Sequence, residues 1–323
     1  MLGLPVVSAS VGGYWGPVTA SIDWCEENYR WTYFIAEWWN TLSSLAIFAA
    51  GMYGFSIALL DGQETRFQVS HLLVASIGIG SACFHCTLRH VEQQCDETPM
   101  VLSQLNWFHE LFADVWENNS LASAVMPVFL AIYGVVFAAL HNHYRWTTGF
   151  QVHFISWVVM NLGRCVYVSR DKAMEPATFL LRRAIVASSM GTICWMASGT
   201  VDFHFCGQLQ SGVIPNPEGH AWWHIFVAYA IFQCTSFSTY RRCVHLERPV
   251  SIRLKGPWGV WADVRVHHRA IKANKCDIGS SSLSHGVIMG IDGDSSNLKK
   301  IEPSNGSGPM YPRHMLHVKH SCF

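Results

Sequence analysis

Charge is what this chain has least of. Only 14% of its 323 residues are Asp, Glu, Lys or Arg, half are hydrophobic, and the mean hydropathy is positive. A soluble domain of this length would find that composition hard to keep in solution, so a polytopic membrane protein is expected. Lys plus Arg balances Asp plus Glu at 22 each, and without a basic excess nothing points to a nucleic-acid partner. The eleven cysteines follow no zinc-finger rhythm and define neither a cysteine metal site nor a disulfide-rich scaffold. Most of them read as small apolar residues within a membrane. "MLGLPVV" at the N-terminus lacks a basic n-region and has too short an apolar run for a signal peptide, so the first transmembrane helix is expected to direct insertion. No internal repeat stands out, and His109-Glu110 does not open an HExxH motif because residue 113 is Ala.

What the chain does have is apolar length. Seven windows, near 33–59, 69–89, 97–116, 121–140, 147–168, 179–203 and 219–240, are long enough to cross the hydrocarbon core as helices. The expected fold is therefore all-α, a polytopic membrane protein of seven transmembrane helices over 33–243. A luminal segment at 1–32 precedes it, and a polar tail at 244–323, mostly disordered, follows. The third window is the least apolar, since it carries His109, Glu110 and Asp114, which must face the bundle or an aqueous end. Arg66, Arg170, Lys172, Arg182 and Arg183 fall in alternate loops and are joined by Arg241, Arg242, Arg248, Arg253 and Lys255 of the tail. The positive-inside rule then puts the C-terminus in the cytosol and the N-terminus in the lumen.

With that orientation, polar residues from three windows meet at one depth. His85 lies near the luminal end of the second window, Asp96 opens the third, and His220 and His224 begin the seventh. Residues four apart share a helix face, so His220 and His224 can present two imidazoles to one ion, and Ser81 sits on the face of His85. Three imidazoles are the ligand set that leaves zinc an open position for water. Asp96 is placed to act as general base, and Ser81 to bond a developing oxyanion or orient the ligands. Each piece alone has a plainer reading, an interfacial Trp/His belt or a packed core histidine. Topology alone leaves the choice even. His204, beside Asp202, is a candidate supporting group at the same depth.

A second cluster precedes the first window. In "SIDWCEENYRWTYFIAEWWN", Asp23, Glu26, Glu27, Asn28 and Glu37 crowd oxygen ligands of the kind calcium takes, without EF-hand spacing. From the residues alone a solvated acidic loop is the favoured reading, except that Glu37 enters the apolar window and needs a partner.

"GYWGP", "DWCEENY", "AEWWNT", "GSACFHCTL", "DETPM" and "HAWWHI" occur in the order and spacing of the alkaline ceramidases, integral membrane amidases of the Golgi and endoplasmic reticulum, and the chain resembles them from about residue 13 to 242. The resemblance implies zinc held by His85, His220 and His224, with Asp96 and Ser81 flanking the catalytic water. It also implies a structural calcium on Asp23, the Trp24 carbonyl, Glu26, Asn28 and Glu37, and a luminal disulfide between Cys25 and Cys206. The implied substrate is ceramide, cleaved to a sphingoid base and a fatty acid. Cys86 and Thr98 depart from the family's usual residues, and the tail has no clear counterpart. Two rival readings carry the same residues differently. One is a seven-helix zinc receptor of the adiponectin-receptor type, with reversed orientation; the other is an ion or proton transporter.

Overall fold

The apolar windows become helices. Over residues 13–210, 215–267 and 290–291, which the computed structural model describes, the chain forms α1 (Trp38–Leu60), α2 (Thr65–Thr87), α3 (His90–Trp116), α4 (Ser120–Tyr144), α5 (Thr147–Val168), α6 (Thr178–Gln210) and α7 (Gly219–His245). A 3-10 turn, Lys172–Ala177, leads into α6. Ends follow local chemistry. Asn119 caps α4 by accepting from the N–H groups of Leu121 and Ala122, both at 3.1 Å, which are otherwise orphan donors of a first turn. The α1–α2 turn places Gly62 at φ 55°, a left-handed conformation that glycine adopts without strain.

The first helix starts later than the apolar window suggests. Residues 33–37 hold a turn in which Thr32 bridges Ile35, and the N–H groups of Ala36 and Glu37 go to the carbonyls of Cys86 and His85, each at 2.9 Å. Backbone donors spent across to the end of α2 cannot also begin α1. In the other direction, α6 runs past the expected end at 203 to Gln210.

Helix α1 packs on α2 and α7, α2 on α3, α6 on α7, and both α4 and α5 on α3. Small residues set the closest approaches, as they do between helices in lipid. A Cβ on Gly80 of α2 would collide with the backbone of Cys95 and Asp96 on α3, so glycine there brings the Ser81 turn against the Asp96 turn.

By length and apolar composition α1, α2 and α4 can each cross a membrane. The polar residues of α3 and α7 that lower their hydropathy lie mostly inside: Gln93, Glu97, Gln104 and Glu110 on α3, and His220, His224 and Gln233 on α7, are all buried. Glu110 accepts from Ser70 at 2.6 Å, and Asp114 takes Arg164 at 2.8 Å and Arg241 at 2.7 Å. The polar groups of the third window thus find partners within the bundle and at its end.

Part of the tail expected to be disordered is folded. Residues 250–266 form a hairpin of β1 (Val250–Lys255) and β2 (Trp261–Val266), in register Val250 to Val266, with Gly290–Ile291 adding a short parallel strand to β1. Ile252, Ala262, Val264 and Val266 are buried, the first three in a core with Phe237 and Tyr240 of α7. Asp61, at the end of α1, binds Arg265 through both its oxygens and accepts from the Val266 N–H at 2.9 Å. The remainder of the tail, 268–289 and 292–323, lies outside the described residues.

Candidate metal centre

Three elements build the site at the end of the bundle opposite the hairpin. Helix α2 brings Ser81 and His85 on one buried face and ends at Leu88 in a left-handed conformation with φ 49°. Helix α7 opens after Glu218, also left-handed at φ 51°, so His220 and His224 occupy its first two turns. Helix α1 contributes Asn40, Ser43 and Ser44, and the residue that precedes it is Glu37; of these, Glu37, Asn40 and Ser44 are fully buried.

The three predicted histidines come together. Ring centroids lie 5.1 Å apart for His85 with His220, 5.1 Å for His85 with His224 and 4.6 Å for His220 with His224, and one nitrogen of each falls within 4.8 Å of the others. Among the described residues no other three His, Cys, Asp or Glu converge in this way.

Each ring is held by a different neighbour. His85 Nδ1 makes a short hydrogen bond to Glu37 Oε2, and its Nε2 is buried without a partner. His224 Nδ1 bonds the Ser43 hydroxyl at 2.8 Å. His220 stacks on the Trp24 indole at 3.9 Å between centroids and 17° between planes, with its Nδ1 buried and unpartnered. Ring nitrogens left bare in a buried place are costly unless something binds them, and engagement of the other nitrogen by a carboxylate or hydroxyl is the usual way a ligating imidazole is oriented. The donor set therefore fits a divalent transition metal of zinc's preferences.

Ser81 stands beside the rings, and Asp96 lies against the Ser81 turn. The Ser81 hydroxyl accepts from Ser44 at 3.0 Å and lies 3.5 Å from His224 Nε2. Asp96 is carried in by the Gly80 contact, and its Oδ1 is buried without a hydrogen-bond partner. A hydroxyl beside the imidazoles and a bare carboxylate oxygen on the adjoining turn are groups a hydrolytic reaction can use.

The acidic segment lies directly above. Glu26 accepts from the N–H groups of Trp39 at 2.6 Å and Asn40 at 3.0 Å, placing a carboxylate at the N-terminus of α1, where it offsets the orphan donors and the helix dipole. Glu37 accepts from the Trp24 N–H at 2.9 Å and the Asn40 amide at 3.0 Å, besides His85. Asn28 donates to both oxygens of Asp23 at 3.2 Å, while its own Oδ1 is buried without a partner. Burial pushes the Glu26 carboxyl above its usual range, against the pull of the Trp39 and Asn40 N–H groups. Hard oxygen donors and an orphan amide oxygen suit calcium in kind, although Asp23, Glu26 and Glu37 do not converge as the histidines do.

Some of what matters here left no signal in the spacing. His141 is buried in α4 and bonds Glu97 Oε2 at 2.6 Å, one residue along from Asp96. Ser43 as a partner of His224 was equally unmarked. Cys83 and Cys86 bracket His85 at CxxC spacing, yet Cys83 is exposed and the Cys86 thiol donates to the Phe34 carbonyl at 3.3 Å, so neither joins the rings. The side chains of Asp202 and His204 lie outside the described residues. Cys25 and Cys206 form a disulfide with Cα atoms 5.5 Å apart, tying the acidic segment to α6.

The family model described as Ceramidase matches residues 16–262. This chain belongs to the ceramidase family. An alkaline ceramidase of Arabidopsis thaliana is 34% identical over 233 residues, covering 72% of this chain and 88% of the relative. Alkaline ceramidase 3 of Mus musculus is 29% identical over 267 residues, covering 78% and 94%. An alkaline ceramidase of Saccharomyces cerevisiae is 27% identical over 278 residues, covering 79% and 87%. Ceramidases are hydrolases of the ceramide amide bond, and the matched span takes in the acidic segment, all seven helices and the start of β2. The hairpin thus begins within the family region rather than in an appended tail.

Proposed function

We propose that this ceramidase is a zinc-dependent amidase working within the membrane, cleaving ceramide to a sphingoid base and a fatty acid. The convergence of His85, His220 and His224 carries the proposal. These three residues would hold the zinc, whose chemistry there is Lewis acidity toward a carbonyl and toward water. Asp96 accepts the proton of the attacking water at its bare Oδ1 and returns it to the leaving amine, so the same carboxyl serves as base and then acid. The Ser81 hydroxyl, oriented by Ser44, donates to the oxygen on which charge develops. Water adds to the acyl carbon, the C–N bond breaks, and the two products account for every atom. A two-chain lipid reaches such a site laterally, with its amide at the depth of the rings. Purified full-length protein given ceramide at alkaline pH should release sphingoid base and fatty acid in equal amounts; absence of both from every ceramide tried would defeat the reading.

We further propose that all seven helices span the bilayer of the endoplasmic reticulum or Golgi, with the acidic segment in the lumen and the C-terminus in the cytosol. The clustering of Arg66, Arg170, Lys172, Arg182, Arg183 and Arg242 in loops and ends on one side supports this sense, as does the Cys25–Cys206 disulfide, which belongs in an oxidising compartment. A C-terminal tag should be digested by protease added to sealed microsomes. Protection of that tag would reverse the orientation and favour the receptor reading.

Asp23, the Trp24 carbonyl, Glu26, Asn28 and Glu37 would hold a calcium that neutralises three carboxylates and fixes Glu37 against His85. The orphan Asn28 oxygen and the burial of Glu26 support that assignment.

A further inference from the structure

The segment ahead of α1 shows rings that no described residue covers. Tyr14, Trp31, Tyr33 and Phe34 are each more than half exposed, and Trp39 is 44% exposed. They are organised rather than scattered. Tyr14 meets Phe34 at 5.2 Å and Tyr33 at 6.4 Å, while Trp31 sets its edge to Trp39 at 6.4 Å. The segment is one-sided, because its other surface is stitched to the bundle: Ala36 and Glu37 give their N–H groups to the end of α2, and the Phe34 carbonyl accepts from Trp15 Nε1 at 2.7 Å.

We propose that this aromatic face seats in the headgroup zone of the leaflet that holds the N-terminal end of α1, so that bilayer lipid is its partner. The proposal rests on the membrane reading above. Continuity argues for lipid. Trp39 is followed on α1 by exposed Leu42 and Leu45 at helical spacing, so the ring cluster extends the apolar face of a helix that can cross a membrane. The chemistry agrees, since Trp and Tyr concentrate where an apolar ring and a polar edge can both be satisfied. Two cations accompany them: Arg30 lies over the Trp31 ring at 5.5 Å, and Arg89 reaches the Trp15 carbonyl at 2.8 Å, both at a level where phosphate groups would lie. A partner protein would need no such continuity with α1.

Seating has a consequence for the site. The Phe34 carbonyl also accepts from the Cys86 thiol, and Cys86 and His85 in turn receive the backbone of Ala36 and Glu37. Lipid that holds the 31–34 turn therefore holds the strap on which Glu37 meets His85.

The test is photocrosslinking of the full chain in phosphatidylcholine vesicles, with benzoylphenylalanine replacing Tyr33, Phe34 or, as reference, Leu45. Phospholipid adducts are expected at all three positions with yields within about twofold, because all three side chains would lie in lipid or its interface. Phe34 is 55% exposed, so the added benzoyl group has room there and this position keeps the test open should the Tyr33 replacement misfold. Adducts at Leu45 alone, or protein adducts in place of lipid at 33 and 34, would overturn the seating and leave the membrane reading intact. No lipid adduct even at Leu45 would remove both. The readout is independent of turnover, so an inactive preparation still decides it.

Discussion

Asp96→Ala is expected to lower kcat on ceramide by about a thousandfold, within the span that general acid–base groups contribute, while zinc content stays at the wild-type level. The Gly80 contact sets Asp96 against the Ser81 turn, and its Oδ1 has no hydrogen-bond partner. The change removes one side-chain pairing, with Ser81, so the folded protein should survive it. Asp96→Asn, which keeps the shape and loses the basicity, should be as inactive as the alanine variant. Near-normal kcat in either variant would remove Asp96 from the proton transfer. Loss of zinc along with activity would make it a ligand instead.

The second large effect belongs to Glu37. This carboxylate accepts from the Trp24 N–H, the Asn40 amide and His85 Nδ1 while fully buried. Glu37→Ala strands three buried donors at about 1–3 kcal/mol each, so the thermal midpoint should fall clearly. Zinc affinity should drop about 10–100-fold, the usual cost of losing the group that orients a ligating imidazole. Chelation of calcium by a reagent that spares zinc should move activity and midpoint in the same direction, because both changes loosen the strap over His85. Zinc affinity equal to wild type in the Glu37→Ala protein would break the link between segment and rings. Calcium removal that leaves both structure and turnover unchanged would withdraw the calcium assignment.

How far the sequence carried depended on the range of each interaction. Helices and their order were legible because twenty apolar residues in a row are a local property. The pairings within a helix, Ser81 with His85 and His220 with His224, were legible because four-residue spacing fixes a face. Pairings between helices were not. His141 meets Glu97 across 44 residues and Ser43 meets His224 across 181, and nothing in either local pattern says that α4 lies beside α3 or α1 beside α7. Glu37 shows the boundary case. A carboxylate entering an apolar window needs a partner, which the sequence makes plain, but that His85 is one such partner follows only from the way residues 33–37 spend their backbone donors on the end of α2. The β1–β2 hairpin was missed for another reason. Its alternating Val250, Ile252 and Leu254 and the Gly256-Pro257 turn are a period-two signal, which averaging for apolar windows erases. Neighbouring polar composition then invited a disordered reading.

The proposed chemistry depends on a catalytic zinc held by His85, His220 and His224. The most direct measurement removes metal from the purified full-length protein and titrates zinc back while sphingoid base release from ceramide is followed. Activity should rise in proportion to zinc and level off at about one ion per chain, as a three-histidine site requires, and His220→Ala should neither take up the ion nor recover turnover. Full turnover by the metal-free protein would contradict the account.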